Sequence, residues 1–282
     1  MTQRRGFTLI EVLIALVIMG VVTGALYQLL NTSQRLSLAQ AEQVSLQSNV
    51  RTGSLVVPNE LRELNTFVGG VGDRNDVTDA DPDGITYRAM RGMGFVCQAP
   101  AATELRLLES SWTGLRAPDA ARDDLYLFVD GNTDDDGDDS WLRMSITGAA
   151  FSATACGAGA PGYVLTVVGP PAVPINTPVR LFELMRLELY EDEGQWWLGA
   201  GSEKLAPGVL QPMLGPLTDE GFDLDYLDAA GVETANLTAI KSIRLTVRGL
   251  TDDAVRAGGS GAMGHLQEAL VTQVLLRNSI RP

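Results

Sequence analysis

The sequence predicts an α+β fold in which one long N-terminal helix packs on a domain built from antiparallel β-strands. Residues 7–30 form an apolar run, and a helical composition without proline continues from there to Pro58. Beyond Gly84 the hydrophobic period changes to two, as in residues 243–248, where apolar and polar side chains alternate. A long helix followed by a series of strands is typical of this fold class.

The apolar run is long enough to cross a membrane. Its 24 residues, from Phe7 to Leu30, include one charged side chain, Glu11. At ~1.5 Å per residue a helix of this length spans the ~30 Å hydrocarbon core of a bilayer. The run therefore predicts a transmembrane segment over residues 7–30.

The helix is expected to continue beyond the membrane as far as residue 66. Leu29, Leu36, Val50 and Val57 recur at multiples of seven, which gives an otherwise polar helix one apolar stripe. We expect this stripe to pack on the globular domain, with Pro58 either kinking the helix or restarting it. Within the apolar half, the spacing of Gly20 and Gly24 is compatible with close approach of another helix.

Three features at the N-terminus share one explanation. A basic leader ends at Gly6, and a carboxylate, Glu11, follows five residues later inside the apolar run. A carboxylate within a membrane helix costs up to about 3 kcal/mol, so it usually has a partner and a function. Cleavage after Gly6 would create a cationic amino group on Phe7, on the same chain or a neighbouring one, at the depth of Glu11.

This pattern resembles the class III signal of type IV pilins and pseudopilins. The resemblance implies that a prepilin peptidase cuts between Gly6 and Phe7 and methylates the amine of Phe7. The same resemblance implies that Glu11 guides docking into a growing filament. It also implies contacts through the stem helix with other major and minor pilins or pseudopilins, and with an inner-membrane assembly platform. The chain then divides into a leader (1–6), a stem helix (7–66) and an extracytoplasmic β-rich domain (67–282).

Two other interpretations of the N-terminus remain. A secretory signal peptide could use residues 23–25 as a small-residue cleavage site, although Glu11 would interrupt its apolar region. An uncleaved membrane anchor would leave Glu11 reaching toward the interface.

Charge indicates orientation and the kind of partner. The formal net charge is −14, and removal of Arg4 and Arg5 with the leader changes it to −16. Such an acidic chain disfavours nonspecific attraction to nucleic acid or anionic lipid. Arginines before the apolar run and an acidic body after it place the N-terminus in the cytoplasm. We expect a single-pass inner-membrane protein that later enters a pilus or a periplasmic pseudopilus.

The two cysteines, Cys97 and Cys156, both lie in the part of the chain expected outside the cytoplasm. An oxidising compartment favours a disulfide between them. Two buried thiols or a metal site are the alternatives, although neither cysteine has a CxxC or histidine partner nearby.

Alternating segments and apolar runs predict the strands of the domain. The predicted strands cover residues 85–90, 103–108, 125–129, 141–146, 163–168, 179–190, 195–198, 222–226, 243–248 and 269–277. Segments rich in Gly and Pro, including 69–84 and 206–216, read as loops.

Two acidic segments have the spacing of a calcium-binding loop. The first contains Asp79, Asp81 and Asp83, and the second contains Asn132, Asp134, Asp136 and Asp138. Both resemble the first half of an EF-hand loop but lack its closing glutamate. Calcium is therefore a candidate cofactor at either segment, and a solvated turn is the alternative.

The sequence favours a non-enzymatic protein. The only histidine, His265, lies in a Gly-rich segment, and no nucleophile motif or phosphate-binding loop is present. Short segments around residues 85–88, 196–198 and 276–278 resemble the PilW and pseudopilin-J group, so we expect a PilW-like minor pilin. A minor pseudopilin of a type II secretion system, a membrane-tethered calcium-dependent adhesin or binding module, and a tethered hydrolase are the alternatives.

Overall fold

One helix precedes a series of strands in the computed structural model, which describes residues 8–66, 75–131, 134, 139–157, 159–169, 173–256 and 262–277. Helix α1 (Leu9–Arg62) has 54 residues, which corresponds to a length of about 80 Å at ~1.5 Å per residue. The strands that follow pair antiparallel throughout. The predicted α+β class is confirmed.

Helix α1 continues through Pro58 without interruption. A proline inside a helix removes one backbone hydrogen bond. Burial of Val57, Pro58 and Leu61 against the sheet offsets that loss. Pro58 therefore neither ends nor restarts the helix, which stops at Arg62.

The described residues form thirteen strands. In chain order they are β1 (Val77–Asp81), β2 (Gly84–Ala101), β3 (Glu104–Leu108), β4 (Asp123–Val129), β5 (Ser140–Ser152), β6 (Gly162–Val167), β7 (Pro178–Asp192), β8 (Gln195–Ser202), β9 (Gln211–Leu227), β10 (Ser242–Leu250), β11 (Val255–Arg256), β12 (Met263–Gly264) and β13 (Gln267–Leu275). Each predicted strand overlaps one of these.

Six strands close into a small barrel. Strand β2 pairs with β3, β3 with β6, β6 with β5, β5 with β4, β4 with β7, and β7 again with β2. The apolar side chains inside this ring form one core; they are Val96, Leu105, Leu107, Leu125, Leu127, Met144, Ile146, Leu165, Val167, Val179 and Leu181. The barrel closes because β2 and β7 are long enough to pair within the barrel and also within a second, open sheet.

The same two strands also belong to an open sheet of order β1-β2-β7-β8-β9-β10-β13. Helix α1 packs across β10, β13 and β9 of this sheet. Leu46, Val50, Val57 and Leu61 of the helix join a second apolar core that includes Leu245. The helix and the barrel therefore lie at different parts of one connected β-structure.

Two glycines allow the helix to approach the sheet closely. A Cβ on Gly53 of α1 would lie 2.4 Å from Leu214 Cδ2, and a Cβ on Gly249 of β10 would lie 2.5 Å from Val50 Cγ2. Both distances are shorter than a van der Waals contact, so a side chain at either position would require Leu214 or Val50, or the helix itself, to shift. The helix–sheet spacing depends on both glycines.

Two predicted loops contain strands. Strand β1 lies in the acidic segment 69–84, because Val77 is buried while Asp79 and Asp81 point away from the core. Strand β9 begins at Gln211, inside the predicted loop 206–216, because Leu214 and Leu217 are buried against α1 and β8. Tertiary packing overrides the turn-forming composition at both places.

Candidate functional site

The first turn of α1 is closed by a capping box. Thr8 stands at the N-cap, and its backbone N–H donates to Glu11 Oε2 at 2.9 Å. The Thr8 hydroxyl donates to the same oxygen at 3.0 Å, and the Glu11 N–H donates to Thr8 Oγ1 at 3.4 Å. These contacts satisfy N–H groups that a helix start otherwise leaves without partners.

The capping box gives Glu11 a role within its own chain. An ionised carboxylate in hydrocarbon is costly unless it is hydrogen-bonded, and Thr8 supplies two donors to it. The pattern Thr8-x-x-Glu11 before an apolar run is a recognised capping signal, although the sequence reasoning did not use it. Gly6 and Phe7 lie outside the described residues, so cleavage and methylation there stay predictions.

The N-terminal half of α1 projects from the domain with its apolar side chains exposed. An 18-residue window of this helix has a mean hydropathy of 2.6, and none of it is buried within the chain. Leu9, Ile18 and Leu30 illustrate the exposure, at 85%, 58% and 62%. By length and composition, this part of the helix can cross a membrane.

A groove lies on one side of this projecting helix. It measures about 600 Å³ and is lined by Leu16, Met19, Gly20, Thr23, Gly24 and Tyr27. No atom lies within 4 Å of a Cβ built on Gly20 or Gly24, and the Thr23 hydroxyl donates to Met19 O at 2.7 Å. The surface is therefore apolar and open, with no side chain at two positions, which suits a second helix at close approach.

Polar contacts fix the other half of α1 to the sheet. Asn49 Nδ2 donates to Gly215 O at 3.0 Å, and Glu60 Oε2 lies 3.5 Å from Arg91 Nη1. At the helix end, Glu63 Oε1 lies 3.1 Å from Arg277 Nη1. These contacts hold the second half of α1 to the sheet at several points along its length.

Asp76 holds the segment that follows the helix. Its carboxylate oxygen Oδ2 accepts the Asn65 N–H at 2.9 Å and Arg180 Nη2 at 3.2 Å. Asp76 is buried, and burial raises the pKa of its carboxyl group, while the positive charge of Arg180 opposes this shift. The chain leaving the helix is thereby tied to β7.

A row of alternating charges joins the helix to the barrel. Arg91 Nε lies 3.0 Å from Glu183 Oε2, and Arg116 Nη2 lies 3.3 Å from the same oxygen. Arg116 also binds Asp123 through two bonds of 2.7 and 2.6 Å. Together with Glu60 on the helix, these five side chains form what we call the ion row. Its members are far apart in sequence, so no local signal could have indicated it.

The structure joins Cys97 and Cys156 in a disulfide, with their Cα atoms 5.5 Å apart. Cys97 lies on β2 and Cys156 in the turn after β5. Arg106 of β3 donates to Gln98 and to Ala155 O beside this bond. The bond therefore ties two parts of the barrel wall across β3.

The described residues of the acidic segments show charged contacts of their own. Asp79, Asp81 and Asp83 line a small pocket that also contains Arg186, itself 2.5 Å from Glu188. Among the described residues, no group of three or more His, Cys, Asp or Glu side chains is arranged to hold a metal ion. Asp134 is exposed, and Asn132, Asp136 and Asp138 lie outside the described residues. Calcium stays a prediction.

His265 has a structural contact. Its Nδ1 lies 2.8 Å from Thr251 O, and the neighbouring Leu266 N–H donates to Thr251 Oγ1 at 3.0 Å. This pair of contacts fixes the chain entering β13, which is a conformational role for the histidine.

The protein thus has an apolar N-terminal stem helix and a β-rich domain that is attached to the second half of this helix. The family described as "Prokaryotic N-terminal methylation motif" matches residues 1–27. This match supports a type IV pilin-like or pseudopilin-like protein that prepilin peptidase processes and that assembles with other pilins. It fits an inner-membrane-anchored chain with a structural, non-enzymatic role. No curated protein and no solved structure matches this chain.

Proposed function

We propose that this chain is a PilW-like minor pilin that is incorporated into a type IV pilus filament or initiates one. The proposal rests mainly on one observation: the apolar half of α1 is unburied within the chain, whereas its second half is packed into the sheet. A bilayer covers the apolar half before assembly, and neighbouring stems cover it afterwards. In the filament, packing against neighbouring helices replaces the contacts that the apolar half of α1 makes with lipid.

Prepilin peptidase is proposed to cut between Gly6 and Phe7 and to methylate the new amine. That amine then carries a positive charge one residue before Thr8. In the filament, Glu11 of one stem pairs with the amine of a neighbouring stem, and the pair stabilises both charges in an apolar surrounding. The groove at Gly20 and Gly24 receives part of a neighbouring helix.

Substitutions at Glu11 and at Thr8 separate charge pairing from helix capping. Glu11→Gln keeps a side-chain acceptor for the Thr8 N–H but removes the charge, since glutamine also serves in a capping box. Thr8→Val removes the cap hydroxyl and leaves the carboxylate. We expect Glu11→Gln and Glu11→Ala to be cleaved normally but to be at least tenfold depleted from filaments, and Thr8→Val to be incorporated.

The readout is mass spectrometry of sheared filaments and of membranes, searching for a peptide that begins at Phe7 with one extra methyl group. Normal incorporation of Glu11→Gln would eliminate charge pairing and leave capping as the role of Glu11. An uncleaved Met1 terminus in every fraction would contradict the processing step. Processed wild-type chain found only in the cell envelope would instead favour a pseudopilin of a type II secretion system or a subunit that initiates the filament at its base.

A further inference from the structure

The last strand of the open sheet has an unprotected edge. In the described residues β13 pairs with β10 over nine consecutive positions, from Leu250 opposite Gln267 to Ser242 opposite Leu275, without a register shift. No other strand in the part of the chain that the structure describes pairs with β13. Its other side therefore presents backbone N–H and C=O groups that a further strand could pair with.

The side chains along β13 leave this edge open to an apolar partner. Leu270, Val271 and Leu275 are 40%, 60% and 61% exposed, and Glu268 is the only charged side chain of the strand. Proteins usually protect an edge strand with charges, proline, a bulge or short length. The sequence of β13 contains no proline and no lysine.

The opposite edge of the same sheet shows that protection. Strand β1 has five residues, its register with β2 shifts between Val77 and Asp79, and it carries Asp79 and Asp81. The β1 edge of this sheet is protected and the β13 edge is not. This difference indicates that a partner binds at β13.

A second copy of this chain does not fit the β13 edge. A twofold axis between two antiparallel β13 strands stands perpendicular to the sheet and reverses the direction of the packed helix. The two stems would then point in opposite directions, and they could not enter the same membrane. This step rests on the proposed function.

Head-to-tail pairing with β1 of a second copy is also unfavourable. Six antiparallel pairings connect β1 to β13, so the two strands run in the same direction. Copies with parallel stems would have to form a parallel ladder between β13 and a short, shifted strand. Asp79 and Asp81 of that strand and Glu268 of β13 all carry negative charge, so no charge complementarity would assist it.

We propose that β13 is a docking edge for an extended segment of a different protein, which adds one antiparallel strand to the sheet. The segment carries uncharged, apolar side chains at alternate positions, where they meet Val271 and Leu275 on the outer face. Backbone hydrogen bonds supply much of the affinity and the alternate side chains supply the specificity. Another filament subunit with a donor strand of this kind is the expected source.

The test uses the full-length chain in detergent and a fluorescent peptide based on residues 242–250, which already form an antiparallel ladder with β13; the peptide carries Arg244→Thr and Arg248→Thr so that it is uncharged along its length. We expect saturable binding by fluorescence anisotropy and slower hydrogen exchange at residues 267–275. Methylation of alternate peptide nitrogens removes ladder donors but keeps every side chain, and should abolish binding. Val271→Lys and Leu275→Lys should each weaken binding at least tenfold, whereas the matched surface variant Val232→Lys should not.

Several results would overturn the proposal. They are absence of peptide binding, equal binding of the N-methylated peptide, and slow exchange of all β13 amides in the chain alone, which would mean that the chain covers its own edge. A dimer that Val271→Lys dissociates would assign the edge to a second copy. Glu11→Gln should bind the peptide like the wild type, so a failure of filament assembly is distinguishable from a failure of strand docking.

Discussion

Glu183 lies at the centre of the ion row. Arg91 and Arg116 both contact the same oxygen of its carboxylate. Desolvation of the buried carboxyl group raises its pKa, but the hydrogen bond from Arg91 and the positive charges of Arg91 and Arg116 outweigh this effect. The pKa of Glu183 is therefore lowered. For a carboxyl group this means that ionised Glu183 stabilises the folded state.

Glu183→Gln is expected to destabilise the protein by roughly 1–3 kcal/mol at pH 7, because it leaves Arg91 and Arg116 without their shared anion. A lowered pKa in the folded state gives a contribution that is complete above the unfolded value of about 4.3 and disappears as pH falls through the folded value. The difference from wild type should therefore be smaller at pH 3 than at pH 7, because pH 3 lies below the unfolded value. Denaturant melts of both proteins at these pH values measure it.

Glu188→Gln is the matched control for this prediction. It lies on the same strand and contacts Arg186 near the surface, where an ion pair contributes about 0–1 kcal/mol. An equal loss for Glu183→Gln at pH 3 and pH 7 would show that shape, and not charge, is what Glu183 contributes.

Helix α1 consists of two parts that differ in their surroundings. Its apolar N-terminal part has no buried residue in the described chain, whereas its second half buries one stripe in the sheet. The stripe observed at Leu46, Val50, Val57 and Leu61 includes two of the four positions predicted from the period of seven. Leu29 and Leu36 are exposed because the sheet does not extend to them.

Leu61→Ala tests how strongly the helix is docked. Leu61 is fully buried in the helix–sheet core, and deletion of a buried leucine side chain usually costs 2–5 kcal/mol. We expect a loss of about 3 kcal/mol in free energy of unfolding, measured by urea denaturation in detergent. Leu55→Ala, on the exposed face of the same helix, should change it by less than about 0.5 kcal/mol.

Equal effects of the two substitutions would contradict the observed docking face. Loss of helical signal in Leu61→Ala without loss of the β-domain signal would show that the helix and the sheet unfold separately, and the shared core would then contribute little.

At the scale of the whole molecule, two separate apolar cores share the long strands β2 and β7. One core fills the barrel and the other joins the sheet to the helix. The disulfide belongs to the barrel, since Cys97 and Cys156 are both on its wall. Constraining a loop of this size stabilises a protein by about 4 kcal/mol in the chain-entropy model.

A double variant, Cys97→Ser with Cys156→Ser, is therefore expected to weaken the barrel more than the helix–sheet unit. Hydrogen exchange should accelerate at least tenfold in β3, β5 and β6, with a smaller change in β10. The oxidised wild type is the reference. Equal acceleration in β3 and β10 would mean that the two cores unfold as one cooperative unit.

The sequence alone indicated the parts of this protein whose physics is local. A run of 24 apolar residues can be read without knowing what surrounds it, and so can the alternation in residues 243–248. The N-terminal motif is also local, because Gly6, Phe7 and Glu11 are within six positions of each other. The capping box of Thr8 and Glu11 is equally local, because it joins residues of one helical turn.

The tertiary structure decided everything that depends on which distant segments meet. Strand β1 forms in an acidic segment because Val77 finds a buried place beside β2, and the barrel closes because β2 and β7 each pair with several strands. The ion row gathers Glu60, Arg91, Arg116, Asp123 and Glu183 from five elements of the chain. The unguarded edge of β13 likewise follows from strand order, which hydrophobic periodicity does not encode because every strand of a sheet repeats with the same period of two.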